Sequence, residues 1–459
     1  MSAERQAPET SPRTSSPREL FGSRWGFVLA AVGSAVGLGN MWRFSYVAAE
    51  GGGAAFVLLY VVMIAILGIP LMLCELTVGR RTRLSPIGAV GALGGRRWMP
   101  LGGLYVVTGF LILSYYAVIS GWTLRYALEA VVVGFPEAPG SHFDAIASGW
   151  SAAGWHLLFM ALTMGIVMVG IRKGIERAAM VLMPLLFLLV VGLALWALTL
   201  DGATDGYRFY LRPDVSELLN PTVLGQAMGQ AFFSLSLGMG AMLTFASYLS
   251  RDTDLKREAV TISVADFSVA FMAGLVVFPV IFALGLQDQV SESTLGALFI
   301  ALPGAFDAMG MAGRVVGTLF FVALAVGAIT SAISLLEVVT ASIIDTLGVS
   351  RRRAAVGMGV LIGITGLGSA FSIDLLGLLD QVAGDLFLVL GALLLSIFVG
   401  WVVRAEALQE MAAGAGPRSQ AMIPAVAFLA RWVLPPVIAF VLWFSVQDTW
   451  GEVRAFLGG

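Results

Sequence analysis

Two short runs of small residues contain the groups of this sequence that could do chemistry. The first, GSAVGLGN at 33–40, ends in Asn40 and is followed by Arg43, and the second is FSLSLGMG at 233–240. An interior glycine costs roughly 1 kcal/mol of helix stability relative to alanine, so both runs predict an interrupted helix. Such an interruption exposes carbonyls that can bind a cation and N–H groups that can bind a carboxylate. Close helix packing through small residues is the alternative explanation of the glycines.

Side-chain catalysis has little support in the composition. The 459 residues include one cysteine, Cys74, and two histidines, His142 and His156. These numbers exclude an intramolecular disulfide and a site of clustered cysteines, and they argue against a histidine-rich catalytic centre. No glycine loop has the strand–turn–helix context of a nucleotide site, and a net charge of −2 does not indicate a nucleic-acid partner. We therefore predict that the chain is not an enzyme.

Both runs lie in apolar stretches that are long enough to cross a membrane. The apolar fraction is 58% and the charged fraction is 12%, whereas soluble domains are about a quarter charged. Since about 20 apolar residues cross the hydrocarbon, the sequence predicts an all-α polytopic membrane protein. We place eleven spans near 24–46, 54–79, 101–133, 155–171, 179–200, 222–249, 258–286, 312–347, 353–371, 374–402 and 422–446.

The two interrupted spans occupy corresponding positions if spans 1–5 and 6–10 form two halves. Interrupted helices at matching positions indicate a transporter site near the middle of the membrane. Unwound backbone is tolerated at that depth only where it lines a cavity. The pattern therefore favours a site for an alkali cation and a zwitterion. Most Lys and Arg residues lie in cytoplasmic loops if the amino terminus is cytoplasmic, as the positive-inside rule requires.

Several segments resemble the neurotransmitter:sodium symporter family. They are RELFGSRWGFVLAAVGSAVGLGNMWRFSY at 18–46, GIPLMLCELTVGRR at 68–81, YY at 115–116 with SGWTLRYAL, GQAFFSLSLGMG at 229–240, ITSAISLLE at 329–337 and LLDQ at 378–381. From Arg18 to about residue 402 the chain is identified as a member of the bacterial, LeuT-like amino-acid branch. The resemblance implies an inverted five-plus-five repeat and sodium-coupled import of an amino acid by alternating access.

Composition, hydropathy and the resemblance together predict how the chain is divided and where it lies. We expect a disordered cytoplasmic tail at 1–20 and a transporter core at 21–404. Residues 405–459 would hold a linker, the eleventh span and a short external tail. The protein would lie in the cytoplasmic membrane of a prokaryote, as a monomer or homodimer, with the amino-acid substrate and the lipid bilayer as its partners.

Two sodium sites are implied by the resemblance, and all of their ligands are oxygen atoms, which suit a hard cation. The first would use the substrate carboxylate together with the carbonyl of Ala35 and the side chains of Asn40, Ser234 and Asp266. The second would use the carbonyls of Gly33, Val36 and Gly327 and the hydroxyls of Thr330 and Ser331.

The implied substrate site lies beside these ions. The substrate carboxylate would meet the amides of Leu38 and Gly39 and the hydroxyl of Tyr116. The amino group would meet the carbonyls of Ala35, Phe233 and Ser234. The side chain would lie among Ile112, Phe233, Ser236, Met239, Ser331 and Leu335.

Two positions bear on the class of substrate. Gly37 stands where family members that carry monoamines have an aspartate, so the resemblance implies an α-amino acid. Met239 replaces a more usual phenylalanine. Its flexible thioether can repack around different side chains, which favours apolar or aromatic amino acids. The alternative is that Met239 only fills a gap in the core.

Two departures from the family pattern concern chloride. Chloride-dependent relatives hold the anion partly with a serine four residues after the position of Asp266, where this chain has Ala270. Tyr60, Gln230 and Ser234 are retained. Asp266 stands where relatives often have asparagine, so its carboxylate can supply the negative charge that chloride otherwise brings. We expect chloride-independent transport, with protonation of Asp266 on the return step as a further hypothesis. The alternative is a buried aspartate that only bonds a neighbouring helix.

Gate residues and two further acidic residues complete the predicted set. The outer ion pair would be Arg43 with Asp380, the inner pair would be Arg18 with Asp345, and Tyr248 would lie near the inner pair. For Arg18 the alternative is a charge that only sets topology. Glu75, in span 2, is expected to accept hydrogen bonds from the exposed backbone of the broken helices. Glu337, in span 8, is assigned no role.

Two other functions stay open at this point. One is a proton-coupled or exchanger-type carrier with broken helices, in which Asp266 or Glu337 shuttles protons. The other is a channel or sensor of the same fold that does not transport. The resemblance itself favours sodium symport, with two sodium ions for each amino acid.

Overall fold

The computed structural model describes residues 19–286 and 294–456, and in these ranges the chain is helical and contains no strand. The helices are α1 Arg24–Ala35, α2 Gly39–Glu50, α3 Ala54–Thr82, α4 Pro86–Gly94, α5 Arg96–Val132, α6 Pro139–Ile146, α7 Gly149–Val167, α8 Ile171–Ala197, α9 Ala203–Leu211, α10 Pro221–Ser234, α11 Ala241–Ala246, α12 Leu255–Ala283, α13 Ala297–Ala308, α14 Gly310–Leu347, α15 Arg351–Phe371, α16 Ile373–Val402, α17 Arg404–Ala412 and α18 Pro417–Gly451.

The membrane-spanning helices follow the predicted apolar stretches. In the described ranges, nine helices are long and apolar enough to cross a membrane, namely α3, α5, α7, α8, α12, α14, α15, α16 and α18. The pair α1 and α2, with an angle of 65° between its halves, makes a tenth span. The sixth predicted span is present as α10 and α11, two short helices separated by residues 235–240. The all-α membrane fold is thus confirmed, and the count of eleven spans stays a prediction.

The long helix α14 is the centre of the bundle. It runs over 38 residues, and 83% of the residues in its most apolar 18-residue stretch are buried. It packs against α1, α5, α8 and α15, so its middle part cannot face lipid. This places Gly327, Thr330 and Ser331 next to the interruption between α1 and α2. In the peripheral helices α8 and α18, only 28% of the residues in the most apolar 18-residue stretch are buried, as is expected of helices that face lipid.

Only part of the predicted division of the chain falls on residues that the structure describes. The expected tail at 1–20 lies outside the described residues except for its last two positions. The proposed core and the segment after residue 404 are both helical, and α17 packs against α3. The division into tail, core and carboxy-terminal segment stays a prediction.

Candidate functional site

The first predicted interruption is present at residues 36–38. Helix α1 ends at Ala35, and Val36 has extended backbone angles of φ −80° and ψ 101°. Gly37 has no room for a side chain, since an added Cβ would lie 2.5 Å from the Ser331 Oγ and 2.9 Å from the Tyr116 hydroxyl. The backbone of Gly37 donates to the Asn40 Oδ1 at 3.3 Å. The glycine therefore lets the unwound segment lie directly against α5 and α14.

The second interruption covers residues 235–240. Ser236 has a positive φ of 52°, and Gly238 and Gly240 have φ of 84° and 74°, which is the backbone region that favours glycine. Glu75 of α3 is fully buried, and its carboxylate accepts from Gly238 N at 2.8 Å and from Leu243 N at 3.2 Å. The prediction that Glu75 satisfies the exposed backbone of a broken helix is confirmed.

A small cavity of about 40 Å³ lies between the two interruptions. Nine of the eleven predicted substrate-site residues line it: Ala35, Gly39, Ile112, Tyr116, Phe233, Ser236, Met239, Ser331 and Leu335. The other two are next to it. Leu38 donates its backbone N–H to the Tyr116 hydroxyl at 3.4 Å, and Ser234 bonds Asn40, which itself lines the cavity. The predicted substrate residues therefore come together in one place.

Two serines of the cavity wall were not predicted as site residues. Ser34 and Ser334 both line the cavity, and their hydroxyls are 2.7 Å apart. The backbone carbonyl of Ser34 also accepts from the Ser236 hydroxyl at 2.8 Å. Ser334 lies one helical turn after Ser331, so the spacing of hydroxyl residues along α14 was a usable signal. Ser34 lies inside the first glycine run, and its position there was the corresponding signal.

The side chains predicted for the first sodium site form one buried network. The Asn40 amide donates to the Asp266 Oδ1 at 2.6 Å and to the Ser234 Oγ at 2.9 Å. Ser234 donates to the Asp266 Oδ2 at 2.7 Å. The Tyr60 hydroxyl lies 3.4 Å from the same carboxylate oxygen. All four residues are buried, and the site therefore contains a carboxylate surrounded by neutral hydrogen-bonding groups.

The groups predicted for the second sodium site also converge. The Ser331 hydroxyl lies 3.3 Å from the Gly33 carbonyl and 3.4 Å from the Val36 carbonyl. The Thr330 hydroxyl lies 2.9 Å from the Gly327 carbonyl on its own helix. A Cβ on Gly33 would lie 3.0 Å from the Thr330 Cβ, so glycine permits this approach of α1 to α14. The arrangement offers five neutral oxygen atoms, which suits a monovalent hard cation.

The outer gate has a different ion pair from the predicted one. Arg43 bonds Asp385 at 3.0 Å, whereas Asp380 accepts from the Tyr115 hydroxyl at 2.8 Å. Asp385 lies five residues after Asp380 in a π-helical stretch of α16, where the wider turn changes which side chain faces α2. The Arg43 guanidinium also lies 4.3 Å from the centre of the Phe233 ring. Arg43 is thus held over the cavity by a carboxylate and an aromatic ring.

The inner gate is described only in part, because Arg18 lies outside the described residues. Asp345 accepts from Ser85 N at 2.6 Å. Tyr248 is buried, and its hydroxyl donates to Glu337 at 2.5 Å. Arg351 bonds both oxygens of Glu337, at 2.7 and 3.0 Å. The sequence assigned Glu337 no role, and the structure shows that it joins α14 to the start of α15 and to Tyr248, two residues after α11.

Comparisons with known proteins show the family of the chain. Residues 18–143 and 143–452 match the model of the sodium:neurotransmitter symporter family. The chain belongs to this family. It is 37% identical over 418 residues to the uncharacterized sodium-dependent transporter MJ1319 of Methanocaldococcus jannaschii, covering 86% of this chain and 84% of the relative. It is 35% identical over 443 residues to the uncharacterized sodium-dependent transporter YhdH of Bacillus subtilis, covering 92% and 96%.

One solved structure matches almost the whole fold. The crystal structure of MhsT in complex with L-phenylalanine is 41% identical, with a TM-score of 0.84, and covers 93% of this chain and 99% of MhsT. Membership in the family confirms that the chain is a membrane transporter and not an enzyme. The ligand set of its own site stays a prediction.

Proposed function

We propose that the protein is a sodium-coupled symporter that imports a hydrophobic or aromatic amino acid by alternating access. The observation that carries this proposal is the convergence of both helix interruptions on one cavity. Oxygen atoms that suit a cation lie on two sides of that cavity, and the backbone N–H groups of Leu38 and Gly39 lie at the first interruption, where the Leu38 N–H donates to the Tyr116 hydroxyl. The solved complex of MhsT with L-phenylalanine supports an aromatic amino acid as one substrate.

The substrate would bind with its charged groups on unwound backbone. Its carboxylate accepts from the amides of Leu38 and Gly39 and from the Tyr116 hydroxyl, and it completes the first sodium site. Its amino group donates to carbonyls of residues 35, 233 and 234. Gly37 supports an α-amino acid as substrate. Glycine has no side-chain carboxylate, so the negative charge must come from the carboxylate of the substrate itself. The apolar wall of Ile112, Met239 and Leu335 would hold the side chain.

Two sodium ions per substrate give sufficient driving force. A zwitterion that moves with two sodium ions carries two charges, each worth about 2.3 kcal/mol at 100 mV. At about 1.36 kcal/mol per tenfold change, the membrane potential alone supports accumulation by roughly a thousandfold or more. We assign the ions to the two groups of oxygens described above, with Asp266 and Asn40 at the first and Thr330 and Ser331 at the second.

Chloride would not be required. Ala270 is buried and carries no hydroxyl where chloride-dependent relatives have a serine. The Asp266 carboxylate, bonded by Asn40, Ser234 and Tyr60, supplies a negative charge at the place where chloride would otherwise balance the first sodium ion. A buried carboxylate in a membrane is costly unless it is balanced in this way, and a sodium ion would supply that balance.

We place the protein in the cytoplasmic membrane of a prokaryote with its amino terminus in the cytoplasm. Eleven spans then put the carboxy terminus outside. The support for this orientation is the clustering of arginines at one face, including Arg80 and Arg81 in the last turn of α3 and Arg83 directly after it.

Uptake into proteoliposomes tests the proposal. Labelled L-phenylalanine should accumulate under an inward sodium gradient, should fail to accumulate when choline replaces sodium, and should be unaffected when gluconate replaces chloride. Accumulation driven by a proton gradient in the absence of sodium would favour the proton-coupled carrier, and equilibration without accumulation would favour a channel. Either result would contradict sodium symport.

A further inference from the structure

Arg431 lies against a pair of tryptophans at the surface of the helix bundle, whose ring centres are 4.8 Å apart. Its guanidinium carbon is 4.5 Å from the ring centre of Trp401 and 5.0 Å from that of Trp432. The two indoles are 48% and 53% exposed, which in a membrane bundle means exposure to lipid. The Trp401 indole N–H donates to the Arg431 carbonyl at 3.2 Å. We call these three residues the Trp–Arg–Trp stack.

The stack is produced by a close helix crossing. A Cβ on Gly400 would lie 2.9 Å from the carbonyl oxygen of Ala430 and 3.0 Å from the Cα of Arg431. Glycine therefore allows α16 and α18 to approach, which brings Trp401 against Arg431. Each helix has a π-helical turn at this crossing, Phe398–Val402 and Leu429–Val433. Such turns are frequent at functional sites.

Arg431 has no acidic partner among the described residues. Its buried Nε atom has no hydrogen-bond partner there either. Three other arginines of the bundle, Arg43, Arg80 and Arg351, are each paired with a carboxylate. An arginine in a lipid-facing segment costs at least about 2.5 kcal/mol unless it reaches a polar region or a counter-charge. An anion from outside the protein would supply the counter-charge that the described part of the chain does not.

The stack lies at the arginine-rich face of the molecule. Trp401 is the penultimate residue of α16, and the next helix, α17, is fastened by Glu410 to Arg80 at the end of α3, at 2.6 Å. Tryptophans concentrate at the level of lipid headgroups. Basic pockets between membrane helices at that level bind headgroups. The depth of the stack therefore matches a headgroup and not an acyl chain.

Further arginines extend the positive charge around the stack. Arg404 begins α17, three residues after Trp401, and is exposed. Arg96 and Arg97 are exposed and precede Trp98, whose ring centre is 5.0 Å from that of Phe398 in the π-helical turn of α16. None of these three arginines has a carboxylate partner within the described ranges.

We propose that the Trp–Arg–Trp stack, together with the exposed arginines beside it, binds the phosphate of an anionic phospholipid headgroup. The planar guanidinium can donate two parallel N–H bonds to phosphate oxygens, and such charge-assisted bonds are stronger than neutral ones. The two indoles pack edge to face against each other and beside the guanidinium, and neither ring supplies the counter-charge that Arg431 lacks. The site is separate from the transport cavity and does not depend on which substrate is carried.

Native mass spectrometry of the purified full chain tests the proposal. The probes are phosphatidylglycerol and phosphatidylcholine with identical acyl chains, in equal amounts. The wild type should bind more phosphatidylglycerol than phosphatidylcholine. In Arg431→Gln the ratio of bound phosphatidylglycerol to bound phosphatidylcholine should fall about fivefold, which corresponds to about 1 kcal/mol for one basic residue at a membrane surface. Arg431→Lys, which keeps the charge without the planar fork, should fall between the two. Arg208→Gln, which removes an exposed arginine of α9, is the matched control and should behave as wild type.

Three results would overturn the proposal. They are a wild type that binds both lipids equally, an Arg431→Gln variant with unchanged preference, and loss of the preference in millimolar inorganic phosphate. The last result would show a site for a free anion and not for a lipid. If Arg431→Gln unfolds when phosphatidylcholine is the only lipid, Arg431→Lys is compared with the wild type instead. Its preference for phosphatidylglycerol over phosphatidylcholine must then be lower than that of the wild type.

Discussion

Gly37 is the residue at which the size of the transport site is most tightly limited. A methyl group there would lie 2.5 Å from the Ser331 hydroxyl and 2.9 Å from the Tyr116 hydroxyl. Gly37→Ala should therefore displace a proposed ligand of the second sodium ion and a proposed ligand of the substrate carboxylate together. We expect the affinities for sodium and for L-phenylalanine to fall at least about tenfold each, or about 1.4 kcal/mol.

Equilibrium binding on purified protein measures both affinities. Gly192→Ala is the control, because Gly192 lies in α8 and a Cβ added there would meet no atom of another element within 4 Å. Unchanged affinities in Gly37→Ala would show that the substrate and the second ion bind elsewhere.

We propose that the Asp266 carboxylate makes chloride unnecessary for transport. Asp266→Asn removes the negative charge that balances the first sodium ion, so sodium affinity should fall at least about tenfold in any salt. Asp266→Asn combined with Ala270→Ser restores the residues expected in chloride-dependent relatives, and its uptake should become higher in chloride than in gluconate. Ala270→Ser alone is the control and should remain indifferent to chloride. A wild type that loses uptake in gluconate would contradict this role of Asp266.

Single residues of the site differed in how well the sequence predicted them. The glycines and the asparagine of the first run are informative because their types are unfavourable inside an apolar helix. Ser34 and Ser334 were missed because a serine in a membrane helix is commonly satisfied by its own helix. Arg43 was expected to pair with Asp380 and bonds Asp385, since hydropathy does not report the π-helical stretch that rotates α16.

Among the elements, the interruption between α10 and α11 depends on a group from another helix. The Glu75 carboxylate accepts from the backbone of residues 238 and 243. Glu75→Gln replaces one of the two acceptor oxygens by an NH2 group, which donates and cannot accept, and this leaves a buried N–H unsatisfied at a cost of about 1–3 kcal/mol.

We expect Glu75→Gln to lower the thermal unfolding temperature in detergent and to reduce substrate binding. The exposed glutamate Glu406, on α17, supplies the control variant Glu406→Gln. Equal unfolding temperatures for both variants and the wild type would show that the carboxylate is dispensable for the broken helix.

The positions of the helices could be predicted better than their contacts. Apolar length locates α3, α5, α8 and α14 because each must cross the same thickness of hydrocarbon. It does not predict that Glu337 of α14 bonds Arg351 of α15, because apolar length locates a helix along the chain and does not report which side chains of two helices face each other. The resemblance to a known family supplied the inverted repeat, which no local pattern contains.

For the whole molecule, symport of two sodium ions with a zwitterion predicts electrogenic uptake. Two charges move inward per cycle, so the maximum accumulation should change about a thousandfold or more for each 100 mV, against about fiftyfold for one charge. Potassium gradients with valinomycin set the potential across proteoliposomes at constant sodium. If the maximum accumulation changes with the membrane potential as expected for one charge, only one sodium ion moves with the substrate. If it does not change with the potential, a counter-ion compensates the charge of the sodium ions.

A structure determined with sodium and L-phenylalanine tests the central claim most directly, because that claim concerns backbone groups that substitutions cannot remove. The account predicts that α1 and α2, and also α10 and α11, stay separated by unwound segments. The substrate carboxylate should lie on the amides of Leu38 and Gly39, with one cation beside Asn40 and Asp266 and another beside Thr330 and Ser331. Helices that run continuously through residues 36–38 and 235–240, or a ligand bound away from them, would contradict it.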